Sequence, residues 1–199
     1  MAKSVFRRDF LQSARNVRNS GGATPERSFY AALSVLLNGI GDALKPKVTV
    51  VMEMKNQGAG NPDGGLFTEE QFDRKTLKLK DAQSPNRGVI EVKSPAEPVG
   101  DISKTTQIEK YWHQYRLVLV TNLRDWQLIG ERDGNRVTLE RFELATNESE
   151  FWALAEHPDV AQKKLGEAFE DFLSRVLLHK ADIADPKDLA ALLLTRHDK

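Results

Sequence analysis

The spacing of apolar residues along the chain switches between helical and strand periods. Phe6, Phe10, Ala14 and Val17 recur at three- to four-residue intervals, which predicts a helix. The polar, glycine-containing stretch 19–22 predicts its end. Arginines stand between the apolar positions, so this helix is expected to be amphipathic.

A second helix is predicted from Thr24 as its N-cap and Pro25 as its first helical residue. Its apolar stripe consists of Phe29, Leu33, Leu36, Leu37 and Ile40. Gly41 and Pro46 bound its end. The stripe indicates that one face of this helix packs on a core.

Short runs rich in β-branched residues predict strands. The predicted strands cover 48–54, 65–72, 88–93, 116–122, 125–131 and 136–144. Further helices are predicted over 103–115, around 150–154, along the apolar stripe at 165–177, and from Asp185 to the end. This order predicts an α/β fold with a mixed central β-sheet flanked by helices and a C-terminal helical extension.

The length of 199 residues allows one well-cored domain with a helical appendage. We predict a first domain over residues 1–158 and C-terminal helices over 159–199 that connect it to a following domain. Leu189, Leu192 and Leu193 of the last predicted helix need a surface to cover them. The alternative is a C-terminal helix that packs on its own domain.

Net charge and composition limit the kinds of partner and site that the chain is expected to have. The 29 basic and 29 acidic residues cancel, which weakens any whole-surface attraction to nucleic acid but leaves a local one possible. Residues 3–18 hold five basic residues against one acidic residue, so the first helix either contacts phosphates or has an ordinary solvated face.

The lack of cysteine excludes disulfides and cysteine-based zinc sites. With no signal-peptide core and no run of ~20 apolar residues, we expect a soluble, cytoplasmic protein without a membrane partner.

Two segments place acids where they can serve phosphodiester hydrolysis. Asp63 stands in a tight turn built from proline and glycine, and Glu91 and Lys93 alternate with apolar residues on a predicted strand. Residues two apart on a strand share a face, so Glu91 and Lys93 point one way while Ile90 and Val92 point into a core. Hydrolysis of a phosphodiester needs a hard cation held by carboxylates, a water molecule and a nearby positive group.

The tripeptide pattern of an acid, any residue and lysine also occurs at 53–55, 73–75 and 185–187. The 91–93 copy lies on an apolar strand downstream of the turned Asp63, which favours it. The 73–75 copy also follows Asp63 and stays a rival. Taken singly, Asp63 is alternatively a turn-forming residue, and Glu91 with Lys93 a solvent-facing pair on an edge strand.

The ordered set resembles a known superfamily. Pro62-Asp63 followed by Glu91-Val92-Lys93 is similar to the PD-(D/E)XK pattern of restriction enzymes and repair nucleases. The stretch from Gln107 to Tyr111 resembles the Q-x-x-x-Y motif of RecB-like branches, and Glu26 stands where many members have an additional acid. Together these elements span residues 24–122.

Three segments, 24–30, 56–63 and 119–122, resemble the N-terminal nuclease region of large single-chain restriction–modification proteins. In those proteins an adenine-N6 DNA methyltransferase follows. This chain has no Asn-Pro-Pro-Tyr-type methylase motif and no GxxxxGK[ST] phosphate loop. The resemblance therefore implies that the methylating and sequence-reading parts lie beyond Lys199.

The resemblance also implies roles for single residues. Asp63, Glu91 and the Val92 carbonyl would hold Mg²⁺, for which Mn²⁺ substitutes, and Lys93 would orient the attacking water and stabilise charge on the phosphate. Glu26 would bind a second metal or a metal-bound water. Gln107 and Tyr111, one helical turn apart, would steady the site or contact the DNA backbone.

The sequence thus predicts a Mg²⁺-dependent endodeoxyribonuclease domain that acts on DNA within a restriction–modification enzyme. One alternative is a catalytically silent nuclease-fold module for DNA binding or protein docking. Another is a regulatory domain whose C-terminal helices dock a partner.

Overall fold

The computed structural model describes residues 5–22, 26–55 and 58–181. Its helices are α1 (Val5–Asn19), α2 (Tyr30–Gly41), α3 (Val99–Ile102), α4 (Thr106–Tyr115), α5 (Glu148–Glu156) and α6 (Pro158–Leu178). Its strands are β1 (Val48–Met52), β2 (Gly64–Thr68), β3 (Val89–Val92), β4 (Val118–Thr121), β5 (Asp125–Arg132) and β6 (Asn135–Glu143). Short 3-10 turns at Arg27–Phe29 and Glu69–Gln71 precede α2 and follow β2.

The strands form one mixed sheet in the order β1-β2-β3-β4-β5-β6. Neighbouring strands are antiparallel except β3 and β4, which are parallel. A parallel pair needs a crossover connection, and α3 and α4 provide it. The predicted α/β fold with a mixed sheet flanked by helices is confirmed, and β3 lies inside the sheet.

Both faces of the sheet are covered, because its strands alternate between two apolar clusters. Ile90 and Val92 of β3 belong to the cluster that α1, α2, α5 and α6 form with one face. Val89 belongs to the cluster on the opposite face, together with Tyr111 of α4. The predicted inward direction of Ile90 and Val92 is confirmed.

The long helix α6 covers part of the first face. Its buried stripe consists of Phe169, Phe172, Leu173, Val176 and Leu177. At its end, Arg87 Nη1 donates to the carbonyl oxygens of Leu178 at 3.1 Å and His179 at 3.3 Å. None of the helices in the described part of the chain is long and apolar enough to cross a membrane.

Several predictions fall outside the described residues. These are the N-cap Thr24 with Pro25, the last helix from Asp185, and the acid-x-lysine copy at 185–187. The role of 159–199 as a connector stays a prediction.

The differences from the predicted elements include two strand ends and one short helix. Strand β1 ends at Met52 because Glu53 takes a positive φ of 56°, which leaves strand geometry. Strand β2 ends at Thr68, where the amide N–H donates to Gln71 Oε1 at 3.2 Å and starts a 3-10 turn. The four-residue helix α3 was not predicted, since so short a segment carries no periodic signal.

Candidate active site

The turn between β1 and β2 brings Asp63 to the start of β2. Gly60, at a φ of 117°, takes a backbone conformation that other residues rarely adopt, and the Glu53 amide donates to the Asp63 carbonyl at 2.6 Å. The Asp63 side chain reaches across to β3, where Oδ2 accepts from the Val92 amide at 2.7 Å. Its Oδ1 accepts from the hydroxyl of Tyr30. Asp63 therefore bonds to two distant parts of the chain and does not simply stabilise its own turn.

Glu91 is almost completely buried, at 2% exposure, on a strand with neighbours on both sides. Its Oε1 lies 2.8 Å from Lys93 Nζ, and Lys93 keeps 22% of its side chain exposed. The alternative of a solvent-facing pair on an edge strand is therefore wrong. The two charges form a partly buried ion pair that reaches solvent at the lysine.

The second oxygen of Glu91, Oε2, has no hydrogen-bond partner among the described residues. Burial, and then the charge of Asp63, raise the pKa of Glu91 to about 7, although Lys93 acts to lower it. A buried carboxylate with an unsatisfied oxygen is unfavourable unless a cation or donor meets it. Glu91 thus has an oxygen that a further positive partner would stabilise.

Lys93 holds its proton. Burial acts to lower the pKa of its ammonium, but the hydrogen bond and charge of Glu91 and the charges of Glu26 and Asp63 raise it more strongly. Glu26 Oε1 also lies 3.4 Å from Lys93 Nζ. In the described structure Glu26 therefore pairs with the lysine, and its predicted metal-binding role stays a prediction.

Tyr30 is a member of this cluster that the sequence analysis did not select as a site residue. It is buried at the start of α2, four positions after Glu26, and its hydroxyl donates to Asp63. Burial, and then the hydrogen bond and charge of Asp63, raise the pKa of Tyr30, so its hydroxyl stays protonated. On the helix that the sequence predicts from Thr24, residues four apart share a face, so the spacing from Glu26 was the sequence signal that could have identified Tyr30.

Gln107 and Tyr111 border the site from α4. Gln107 Nε2 donates to the Tyr111 hydroxyl at 2.9 Å, which fits the predicted one-turn spacing. Tyr111 is buried beside the β1–β2 turn, since a Cβ on Gly60 would lie 3.5 Å from its ring. Burial raises the pKa of Tyr111, the bond from Gln107 lowers it, and the charges of Glu91 and Asp63 raise it. The contact with Gly60 places the Tyr111 ring beside the turn that carries Asp63.

The rival acid-x-lysine copies lie in other surroundings. Asp73 Oδ1 accepts from the amides of Lys75 at 3.0 Å and Thr76 at 2.7 Å, so its side chain stabilises an exposed turn. Those bonds lower the pKa of Asp73. Glu53 and Lys55 are exposed and precede the Asp63 turn. Of the copies in the described residues, that at 91–93 is the one buried in the sheet.

The arginines of α1 contact other helices. Arg8 lies 3.1 Å from Asp159, Arg15 lies 3.6 Å from Glu156, and the Arg18 guanidinium lies 4.6 Å from the centre of the Trp152 ring. These contacts join α1 to α5 and α6. They favour the solvated-face interpretation of this helix over a role in binding phosphates.

The oxygen donors of Asp63, Glu91 and Val92 fit a hard divalent cation. Within the described ranges, no group of three or more His, Cys, Asp and Glu side chains has the geometry of a metal site. The set implied by the resemblance needs only two carboxylates and a backbone carbonyl. Asp63 and Glu91 supply the carboxylates: burial, and then the charge of Asp63, raise the pKa of Glu91, and Glu91 Oε2 lacks a partner among the described residues. Oxygen donors with surplus negative charge are what Mg²⁺ and Mn²⁺ prefer.

Comparison with known proteins gives limited matches. No protein-family model and no curated protein matches the chain. A cryo-EM structure of a DrdV–DNA complex is similar with 19% identity and a TM-score of 0.48, over 81% of this chain and 14% of that one. A crystal structure of the type IIG restriction endonuclease BpuSI is similar with 14% identity and a TM-score of 0.42, over 83% of this chain and 18% of that one. The chain spans less than a fifth of either protein, so neither likeness decides its function.

Proposed function

We propose that this chain is a divalent-metal-dependent endodeoxyribonuclease domain with its centre at Asp63, Glu91 and Lys93. The observation that carries the proposal is the buried Glu91, which has Asp63 nearby, Lys93 at 2.8 Å and one oxygen without a partner in the described structure. Asp63, Glu91 and the Val92 carbonyl would hold Mg²⁺, and Mn²⁺ would substitute.

In the reaction a water oxygen forms a bond to phosphorus while one phosphorus–oxygen ester bond of the DNA breaks. The attacking water gives up a proton to solvent, the leaving oxygen takes up a proton from solvent, and the products are an alcohol and a phosphate monoester. Held by these residues, Mg²⁺ would supply Lewis-acid polarisation of the phosphate and would make water easier to deprotonate.

Lys93 contributes positive charge in this scheme. Because its pKa is raised, Lys93 stays an ammonium and does not accept the proton of the attacking water. It can donate hydrogen bonds to the water or to a phosphate oxygen and stabilise the negative charge that develops there. Glu26 lies 3.4 Å from the same ammonium and forms a second ion pair with it.

The wider context of the domain is also a proposal. The resemblance of segments 24–30, 56–63 and 119–122 to the nuclease region of single-chain restriction–modification proteins supports DNA as the substrate. It also supports a covalent continuation into a methyltransferase domain.

Plasmid nicking tests the proposal directly. We expect the chain to nick supercoiled DNA with Mg²⁺ or Mn²⁺ and not in EDTA. The variants Asp63→Ala and Lys93→Ala should lose nicking while keeping their circular dichroism spectra. Lys75→Ala, from the rival copy at 73–75, is the matched control and should nick like the wild type. Nicking that persists in EDTA, or in Lys93→Ala, would refute the assignment.

One observation favours a catalytically silent module. The described arginines of α1 and the ammonium of Lys93 have partners within the chain, and the net charge is zero. A calorimetric titration separates the two functions, because a silent module would show no binding of Mg²⁺ or Mn²⁺. Metal binding that Asp63→Ala abolishes would favour the nuclease.

A further inference from the structure

Both carboxylate oxygens of Asp63 are held by hydrogen-bond donors. The Tyr30 hydroxyl donates to Oδ1, and the Val92 amide donates to Oδ2 at 2.7 Å. The two donors come from separate elements, the start of α2 and strand β3. The Asp63 carboxylate is therefore fixed in rotation as well as in position.

The Tyr30 ring is anchored independently of this contact. It is 8% exposed and belongs to the apolar cluster that packs α2 on the sheet. Its neighbour Phe29 lies in the same cluster, 6.3 Å from the ring centre of Trp152. The packing of the Tyr30 ring therefore fixes the position of its hydroxyl, and at that position the hydroxyl donates to Asp63.

The two donors leave part of Asp63 available. An ionised carboxylate has about four lone-pair sites, and each oxygen of Asp63 uses one of them for its donor. The remaining sites can bind a cation. Tyr30 itself is a poor ligand, because it keeps its proton and donates that proton to Asp63.

We propose that Tyr30 is a positioning residue for the metal centre: with the Val92 amide it fixes the Asp63 carboxylate so that its free lone pairs bind the cation shared with Glu91. This inference rests on the proposed function. Donors to a metal-ligating carboxylate orient it and reduce the entropy lost on binding, and their removal commonly weakens metal binding 10- to 100-fold.

The position of Glu26 fits this arrangement. Glu26 precedes the 3-10 turn at Arg27–Phe29 and Tyr30 begins α2 directly after it. Glu26 contacts Lys93 at 3.4 Å while Tyr30 contacts Asp63. One short segment therefore contacts both Asp63 and Lys93. A shift of this segment would therefore disturb both contacts at once.

Tyr30→Phe tests the inference, because it removes one hydroxyl and keeps the ring in its packing. Tyr115→Phe is the matched control: its hydroxyl is buried on α4 without a hydrogen-bond partner in the described structure. We would titrate wild type and both variants with Mg²⁺ and with Mn²⁺ by calorimetry, after circular dichroism and thermal melting have shown that each is folded. We expect a dissociation constant roughly 10-fold or more above wild type for Tyr30→Phe and no change for Tyr115→Phe.

A second measurement separates positioning from a loss of folded protein. In plasmid nicking against metal concentration, Tyr30→Phe should raise the half-saturating metal concentration by a similar factor and keep much of the rate at saturating metal. A structural defect would lower the saturated rate and leave the half-saturation point in place.

The outcomes distinguish this inference from the proposed function. If wild type binds metal and Tyr30→Phe binds it equally well, the role of Tyr30 is refuted while the metal centre stands. If Tyr115→Phe weakens binding as much as Tyr30→Phe, the effect does not arise at Asp63 and the inference fails. If wild type binds neither cation, the inference and the proposed function both fail.

Discussion

Replacing Glu91 by glutamine should stabilise the metal-free protein increasingly as the pH rises. Burial and the charge of Asp63 raise the pKa of Glu91 from 4.5 to about 7, so the folded protein holds this proton more tightly than the unfolded chain does. The folded state is therefore favoured while Glu91 is protonated. It loses that advantage as the pH rises from about 4.5 to about 7.

The size of the effect follows from the shift. At 1.36 kcal/mol per pKa unit, the wild type loses at most about 3 kcal/mol of unfolding free energy across this window. Glu91→Gln keeps the shape of the side chain and is neutral throughout, so it does not suffer this loss. The attraction of Lys93 for the ionised Glu91 is already included in the raised pKa of Glu91, so it adds no separate pH-dependent contribution. The expected signature is a difference between variant and wild type that grows with pH.

Urea denaturation in EDTA, followed by tryptophan fluorescence from pH 4.5 to 8, measures this difference. Subtracting the wild-type curve removes the ionisations that both proteins share. Glu167→Gln is the control, since it removes an exposed carboxylate from α6 without relieving any burial. Saturating Mg²⁺ should then stabilise the wild type more than Glu91→Gln, by about 2.7 kcal/mol at 100 times the dissociation constant. A difference between Glu91→Gln and wild type that does not change with pH would refute the reasoning about burial at Glu91.

Two further changes probe the surroundings of the site. Gly65→Ala should lower the unfolding free energy by about 1–3 kcal/mol, because its Cβ would lie 2.1 Å from Met54 Sδ and 2.7 Å from the Phe67 ring. Gly100→Ala, whose Cβ meets open space, should not lower it, and urea denaturation measures both variants. Gln107→Ala removes the donor to the Tyr111 hydroxyl and should slow nicking about fivefold, the equivalent of one neutral hydrogen bond of about 1 kcal/mol. An unchanged rate in Gln107→Ala would show that this bond does not support the site.

The strand that carries Glu91 could be predicted because its pattern is local. Ile90 and Val92 alternate with Glu91 and Lys93, and a period of two fixes which side chains share a face without knowledge of the partner strands. The structure places Ile90 and Val92 in the core as this rule requires. The same rule does not predict whether the face that carries Glu91 is buried or exposed to solvent. The order of strands in the sheet is needed to exclude the edge-strand alternative.

The meeting of Asp63 and Glu91 depends on information that is not local. It requires β2 to pair with β3 in the register that sets Gly64 opposite Ile90, after an intervening excursion of about twenty residues between the strands. A slip of one residue would turn Glu91 to the other face. The motif predicts that the two acids meet, but the register that brings them together follows from packing across the whole sheet.

Tyr30 shows a second limit of the sequence. In the sequence, Tyr30 is one of several large residues on a predicted helix with an apolar stripe. Its position in that pattern does not indicate which group its hydroxyl contacts. The hydroxyl reaches Asp63 because α2 packs on β1 and β1 pairs with β2. A polar atom at the end of a buried ring acquires its partner from tertiary structure.

The carboxylate at position 91 is difficult to explain by the stability of the fold alone. Strand β3 is buried on both faces, and Val89, on the same face as Glu91, is fully buried among apolar residues. An apolar residue at 91 would pack there without the desolvation that raises the pKa of the glutamate. Residues that break the local rules of folding tend to occur at functional sites, where a ligand offsets their cost. A divalent cation bound by Glu91 and Asp63 would offset the desolvation cost of the buried carboxylate. The pH dependence of Glu91→Gln measures that cost without the cation, and the metal titration measures the stabilisation that the cation provides.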